Sequence, residues 1–279
     1  MNVGILLALS SALAYGAADF IGGAGSRRYS SWQVVLVGQA AGALVMLVTG
    51  LLLPGSPGTA DFAWALLAGA GSATGSLFLF RGLARGRMGL VAPISAVGAA
   101  VLPVLVGVAL GERPSWLVWV GVLAALPGIW LVSREATPDQ PARKRGALVD
   151  GAIAGVGFGT LFIALAQISP DAGVLPLAAN QLIGAILTVA AATSLRQPWR
   201  PRRGVIGWGS ASGVLGASGT LAFMVATGTT SLGIAGVLAA LYPAVTVLLA
   251  AGVLGERISA GQRAGIGICT LAIATLALG

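Results

Sequence analysis

Long apolar runs, each near twenty residues, alternate with short polar breaks from one end of the chain to the other. Ten such runs fall at 3–22, 32–53, 62–82, 88–110, 115–133, 147–168, 173–194, 204–226, 231–254 and 260–278. A helix of roughly 20 apolar residues crosses the hydrocarbon core of a bilayer, so the pattern predicts ten transmembrane helices and an all-α integral membrane protein. The breaks carry loop chemistry: Gly25-Ser26-Arg27-Arg28, Pro54-Gly55-Ser56-Pro57-Gly58, Ser169-Pro170-Asp171 and Gln197-Pro198-Trp199-Arg200-Pro201. The first run has no basic segment before it and outlasts the ~7–15 apolar residues of a signal peptide, so it reads as a retained span. The longest polar stretch, Arg134 to Arg145, lies near the middle and reads as a linker.

The pattern also repeats. Leu110-Gly111-Glu112-Arg113 followed by Ser115 returns as Leu254-Gly255-Glu256-Arg257 followed by Ser259, an offset of 144. The same offset pairs Gly75 with Gly219, Leu77 with Leu221, Gly89 with Gly233 and Gly121 with Gly265; slipping by one or two pairs Tyr15-Gly16 with Phe158-Gly159 and Gln39 with Gln181. Apolar stretches match by chance, but a shared LGERxS between them points to duplication. The predicted division is a first five-helix repeat over 1–133, a connecting loop over 134–146 and a second repeat over 147–279. Five spans is an odd number, so the second repeat should enter the membrane upside down. Inverted repeats related by a two-fold axis in the membrane plane typify transporters, with the binding site near the midplane between them.

Composition narrows the class. Hydrophobic residues make up 57% and charged residues 9% of the 279, against roughly 25% charged in a soluble domain, so the chain cannot cover a water-facing surface. A net charge of +8 would suggest nucleic acid on a soluble protein. Here the basic residues sit in short tracts between apolar runs and mark membrane topology, so no nucleic-acid partner is expected. Gly contributes 43 residues, which suits helix backbones packed closely in a bilayer. One cysteine, Cys269, and no histidine leave no disulfide, no Cys/His metal site and no near-neutral proton switch. No cofactor and no catalytic set are expected.

The charges also set an orientation. Arg27, Arg28, Arg85, Arg87, Arg134, Arg143, Lys144, Arg145, Arg196, Arg200, Arg202, Arg203 and Arg257 all lie in alternate loops, with Arg81 and Arg263 just inside the adjoining run ends; the opposite loops hold Arg113 alone. That bias of 15 to 1 predicts cytoplasmic placement of the basic loops and external termini, in a bacterial inner membrane.

Several stretches are similar to a known family. Phe80-Arg81-Gly82-Leu83-Ala84-Arg85-Gly86, then Val91-Ala92-Pro93-Ile94-Ser95-Ala96, then Leu110-Gly111-Glu112-Arg113-Pro114-Ser115 resemble the EamA-type family of the drug/metabolite transporter superfamily. Tyr15-Gly16-Ala17-Ala18-Asp19-Phe20 looks like the Trp-Gly-Ser-Asn-Phe pattern of that family's first helix, with Tyr for Trp, and Tyr242-Pro243 ahead of the second LGER is also similar. The resemblance implies a five-plus-five inverted fold that exports amino acids or related metabolites, without naming the cargo. It also implies cytoplasmic termini, the reverse of the charge bias, and the charges are followed here.

Candidate residues each carry a functional and a structural reading. Asp19 is the carboxylate singled out within a span, about one turn from the end of the first run. Intramembrane ionisable residues are costly and mark function by default, so Asp19 and Arg81 are coupling or gating candidates, or else a structural ion pair, or Asp19 is a solvated interfacial group. Gln39, Gln181 and Asn180 are mid-run polar side chains suited to a polar head group or to interhelical hydrogen bonds. The resemblance puts Tyr15, Phe80, Phe158, Phe223 and Tyr242 on cavity-facing helices, where Ser72, Ser76 and Ser95 could add hydroxyls. Glu112-Arg113 and Glu256-Arg257 read as turn-holding groups. Pro93, Pro103 and Pro243 are expected to interrupt the fourth and ninth helices, as hinges or static bends. Gly151-x-x-x-Gly155-x-Gly157-x-Gly159 has no preceding strand and reads as a packing groove rather than a phosphate loop.

The expected function is export of amino acids or similar small molecules by a monomer in the lipid bilayer, through alternating access between the repeats. The rivals are an exporter of lipophilic cations, which a shallow Asp19 disfavours, a membrane-embedded lipid enzyme, for which the chain offers no acid/base cluster, and a structural or assembly subunit, which would not demand a duplicated, inverted architecture.

Overall fold

The computed structural model describes residues 3–84, 88–133, 141–254 and 258–278, and the described residues are helical apart from short turns. The helices are α1 (Val3–Arg28), α2 (Ser31–Leu52), α3 (Thr59–Ala84), α4 (Met88–Ala109), α5 (Trp116–Ser133), α6 (Pro141–Ala166), α7 (Leu175–Ser194), α8 (Arg203–Thr227), α9 (Leu232–Ala239), α10 (Tyr242–Leu254) and α11 (Ala260–Leu278). One 3₁₀ turn, Pro170–Ala172, precedes α7. Among the described residues, seven helical stretches are long and apolar enough to cross a membrane, the α9–α10 stretch Leu232–Val253 counted as one, and two shorter apolar ones lie at Ile94–Ala109 and Trp116–Leu131. Leu51, Leu52, Leu110, Trp116, Leu123 and Leu271 stand exposed on the outside. Such an apolar exterior suits lipid rather than water.

The helices pair according to the duplication. α3 packs on α6 as α1 packs on α8; α4 packs on α6 as α9 and α10 pack on α1; α2 packs on α8 as α7 packs on α3. The pairs α2–α7, α5–α11 and α4–α9 each join an element to its own counterpart. Exchanging the halves maps these principal pairings onto themselves, as a two-fold relation requires. Close approach comes from glycine: a methyl on Gly155 would lie 3.1 Å from Gly98 Cα, and one on Gly157 would lie 2.5 Å from the Gly75 backbone nitrogen. The glycine run of α6 therefore seats α4 on one side and α3 on the other, as small-residue faces do in lipid.

The prolines act unequally. The expected interruption at Pro93 and Pro103 is not found: α4 stays helical through both. Gly236 of α9 leaves room for the Pro103 ring, since a methyl there would sit 2.7 Å from Pro103 Cβ. The ninth run does break. Leu241 N donates to Leu238 O at 3.2 Å and Ala244 N to Leu241 O at 3.0 Å, and α10 starts afresh at Tyr242-Pro243. Pro243 thus stands in a first helical turn, where a missing N–H costs nothing. α5 also contains a proline, Pro127.

Polar groups tie the ends. At one end Gln33 Nε2 donates to Arg200 O at 2.6 Å, and the Arg28 guanidinium lies 5.4 Å from the Trp208 ring centroid. The loops joined there are the basic ones, so this is the basic end. At the opposite end Asp61 accepts from Gly58 N and from Ser169 N, each at 2.8 Å, locking the α2–α3 loop to the α6–α7 loop. The LGER segment is more specific than a turn clamp. Gly111 (φ +99°) ends α4, Glu112 N donates back to Gly107 O at 2.9 Å, and the carboxylate swings out to α9. There it accepts from Leu232 N at 2.7 Å and Gly233 N at 3.3 Å. The expectation that Glu112 holds its own turn is corrected: it caps a helix of the other repeat. Glu256 and Arg257 lie outside the described residues.

Candidate functional site

A cavity of about 80 Å³ lies where the two repeats meet, walled by α1, α2 and α3 from the first and α6, α7 and α8 from the second. At about 10–15 Å³ per enclosed water, it admits several waters or a small polar group. Of the singled-out residues, Tyr15, Asp19, Gln39 and Phe80 from the first repeat and Phe158 and Gln181 from the second stand in its wall, with Ser72 and Ser76 beside them.

Two reciprocal contacts position these side chains. The Tyr15 ring lies against Gly219, where a methyl would come within 3.0 Å, and the Phe158 ring lies against Gly75, where it would come within 2.6 Å. Both aromatics and both glycines are repeat partners. The glutamines behave alike: Gln39 packs over Gly184 and Gln181 over Gly42, each three residues past the partner glutamine. A side chain larger than hydrogen at either glycine would push the facing amide out of place. Gln39 Nε2 donates to Ser72 Oγ at 2.9 Å, while its buried Oε1 meets no hydrogen-bonding group among the described residues. The Tyr15 hydroxyl and Thr220 Oγ1 share a hydrogen bond of 3.0 Å.

Asp19 is deeper than the apolar run suggested. α1 continues to Arg28, so the carboxylate stands nine residues, roughly 13 Å, inside the helix end. The extension is possible because Gly22 and Gly25 let Phe80 and Trp208 come up against the helix. The expected Asp19–Arg81 pair is not formed. Arg81 pairs with Asp150 of α6, and its guanidinium carbon sits 4.2 Å from the Phe78 ring centroid. Asp150, 2% exposed, is a residue the sequence reading missed; it lies inside the 147–168 run, where a carboxylate alone was signal enough.

The remaining candidates fall outside the wall. Ser95 Oγ and the Tyr242 hydroxyl share a 3.2 Å hydrogen bond, and Tyr242 meets Phe158 edge-on at 6.2 Å. Asn180 is buried in α7 with neither amide atom hydrogen-bonded among the described residues. Phe223 stacks on Phe162 at 4.6 Å, and Phe162 in turn meets Tyr15 at 5.8 Å. On α6 and α8 these two rings come one position and about one turn past the last lining residues, Leu161 and Thr220, away from the basic end. They close the far side of the cavity with hydrocarbon. Phe162 was not singled out from the sequence. Pro103 packs on α9, Pro243 opens α10, and the side chain of Pro93 lies outside the described residues. Among the described residues no group of three or more metal-ligating side chains gathers.

A multi-pass helical membrane protein with a polar cavity shared between two repeats belongs, as a class, with small-molecule transporters. Family comparison is more specific: the EamA-like transporter family matches residues 2–134 and again 147–278. The chain belongs to that family, whose members are transporters and not enzymes. A solved crystal structure aligns over 99% of this chain and 96% of its own, with TM-score 0.76 and 16% identity, a likeness of fold alone. No curated protein matches the chain in sequence.

Proposed function

We propose that this protein exports amino acids or related small metabolites across the bacterial inner membrane by alternating access between two inverted five-helix repeats, ten spans in all. The observation that carries this reading is the shared wall: a cavity whose two sides belong to different repeats changes its access when the repeats exchange conformations. Its size and its hydroxyl and amide groups suit a small polar cargo better than a bulky lipophilic drug, so the cation-drug exporter stands second. The basic loops face the cytoplasm and both termini face outward, in a protein that works as a monomer.

Purified protein in liposomes is expected to carry an amino acid down its gradient, with flux reduced by Gln39→Ala and by Gln181→Ala. Absence of amino-acid flux alongside robust export of lipophilic cations would transfer the assignment to the second reading. Epitope tags on both termini should be accessible from outside intact cells.

A further inference from the structure

The duplication docks the same pair of loops at each end of the bundle, and the charges on the two junctions are opposite. Away from the basic end, the α2–α3 and α6–α7 connections meet through Asp61, which accepts from Gly58 N and Ser169 N. Ser56 N also donates there to Asp171 O at 2.8 Å. Residues 53–61 and 167–175 hold two aspartates and no Lys or Arg. The matching junction at the basic end joins the α1–α2 turn to the α7–α8 loop. Gln33 Nε2 reaches Arg200 O, the Tyr29 hydroxyl lies against Gly204, and Gly25 leaves room for Trp208. Position 205, which the repeat offset of 144 pairs with Asp61, is valine. Residues 25–33 and 195–208 hold no acid, and Arg27, Arg28, Arg200, Arg202 and Arg203 stand exposed. The reciprocal junction docks without a basic residue, so packing does not explain these five.

Their surroundings favour an anion. α2 and α8 both begin at this junction, and neither N-cap side chain, Ser30 or Arg202, bonds to its own helix. Two helix N-termini thus add partial positive charge to the guanidinium groups. Ser26, 4% exposed beside Arg27, has a hydroxyl with no hydrogen-bond partner among the described residues. None of the five arginines meets a carboxylate among the described residues; Arg28 and Arg200 lie over the rings of Trp208 and Trp199, at 5.4 and 5.9 Å. With the half-buried Trp32, these rings mark the level of the lipid headgroups. Guanidinium forks match phosphate oxygens two at a time, which a lysine cannot do.

We propose that this junction binds the headgroup of an anionic phospholipid carrying two phosphates. Arg27 and Arg28 with the start of α2 hold one phosphate; Arg200, Arg202 and Arg203 with the start of α8 hold the other. The headgroup bridges the two repeats at the basic end, as the Asp61 carboxylate bridges them at the opposite end. A lipid is the occupant because the patch lies level with the tryptophans, where a lipid phosphate is delivered by its own chains. The site is independent of the cargo and of the direction of transport.

Cardiolipin, phosphatidylglycerol and phosphatidylethanolamine are titrated into detergent-purified protein, and native mass spectrometry reads the affinity of the first bound lipid. Cardiolipin should bind roughly tenfold or more tighter than phosphatidylglycerol, because its second phosphate engages the second arm. Arg28→Gln with Arg200→Gln should weaken cardiolipin roughly thirtyfold, the effect of two basic residues at a membrane surface. Lys144→Gln with Arg145→Gln removes the same charge from the start of α6 and should leave the affinity within about twofold. Arg28→Lys with Arg200→Lys keeps the charges that set topology, and should still weaken cardiolipin several-fold by losing the forks; it serves alone if the glutamine pair fails to assemble. Equal affinity for the three lipids, equal losses from the two glutamine pairs, or a lysine pair that binds as wild type would overturn the site. Displacement of cardiolipin by millimolar pyrophosphate would make a soluble anion the occupant and overturn the lipid.

Discussion

Replacing Glu112 tests whether the first LGER segment clasps the second repeat. Its carboxylate accepts from Leu232 N at 2.7 Å and Gly233 N at 3.3 Å, at the N-terminus of an eight-residue helix that packs on α4. Ser231 supplies the other cap, accepting from Ile234 N at 3.3 Å. Glu112→Ala removes both acceptors and the negative charge at a helix N-terminus. Loss of an N-cap costs ~0.5–2 kcal/mol, and the lost charge–dipole interaction ~0.3–1 kcal/mol. The longer bond is weak and water enters at a helix end, so the sum is about 1–2 kcal/mol rather than the full value of two charge-assisted bonds. Glu112→Gln keeps one acceptor oxygen and should cost about half as much. Reversible unfolding of purified protein by titration with sodium dodecyl sulfate, followed by tryptophan fluorescence, reads the difference directly. Ser231→Ala alone should cost ~1 kcal/mol, and the double variant should depart from additivity because both caps serve one helix end. Glu112→Ala within about 0.3 kcal/mol of wild type, with Glu112→Gln indistinguishable from it, would refute the clasp.

Two further perturbations probe the packing and the second buried carboxylate. Gly213→Ala sets a methyl against the carbonyl of Gly38, backbone against backbone, and should lower stability by ~1–3 kcal/mol in the same titration; an unchanged midpoint would mean α2 and α8 separate freely. Asp150→Ala should cost about 1–3 kcal/mol, below the loss for a fully buried pair because Arg81 is 34% exposed, whereas Arg81→Met with Asp150→Leu should recover much of the loss; a double variant as unstable as the single one would count against the ion pair as the reason.

Much of this architecture is legible in the chain because membrane helices obey a length rule and the duplication supplies an internal check. Tyr15, Gln39, Phe158 and Gln181 come out of the repeat register, and the structure brings all four to one wall. What resists reading is tertiary. Pro103 and Pro243 carry the same cue, yet α4 continues through one and the ninth run breaks before the other. The partner of Arg81 lies 69 residues away, with nothing local to prefer Asp150 over Asp19. The depth of Asp19 escapes the pattern because Gly25-Ser26-Arg27-Arg28 reads as a break, whereas those residues continue α1, with Gly22 and Gly25 lying under Phe80 and Trp208. Glu112 looks like a turn residue because its acceptor geometry points to α9, 120 positions along.

The duplicated positions separate by role. Pairs that stay alike do the same packing twice: aromatic on glycine at Tyr15–Gly219 and Phe158–Gly75, amide on glycine at Gln39–Gly184 and Gln181–Gly42. A two-fold scaffold needs such pairs equal, since each repeat must accept the geometry of the other. Pairs that diverge lie where the two ends of the molecule must differ. Arg81 and Asp150 are matched by the apolar Val225 and Leu7, and Asp19 by Phe162. A symmetric scaffold has no reason to retain an ion pair and a cavity carboxylate at one end alone, because each costs desolvation that an apolar residue avoids. Their confinement to the basic side of the bundle makes the two ends of the cavity chemically different, with stacked rings at Phe162 and Phe223 on one side and ionisable groups at Asp19, Arg81 and Asp150 on the other.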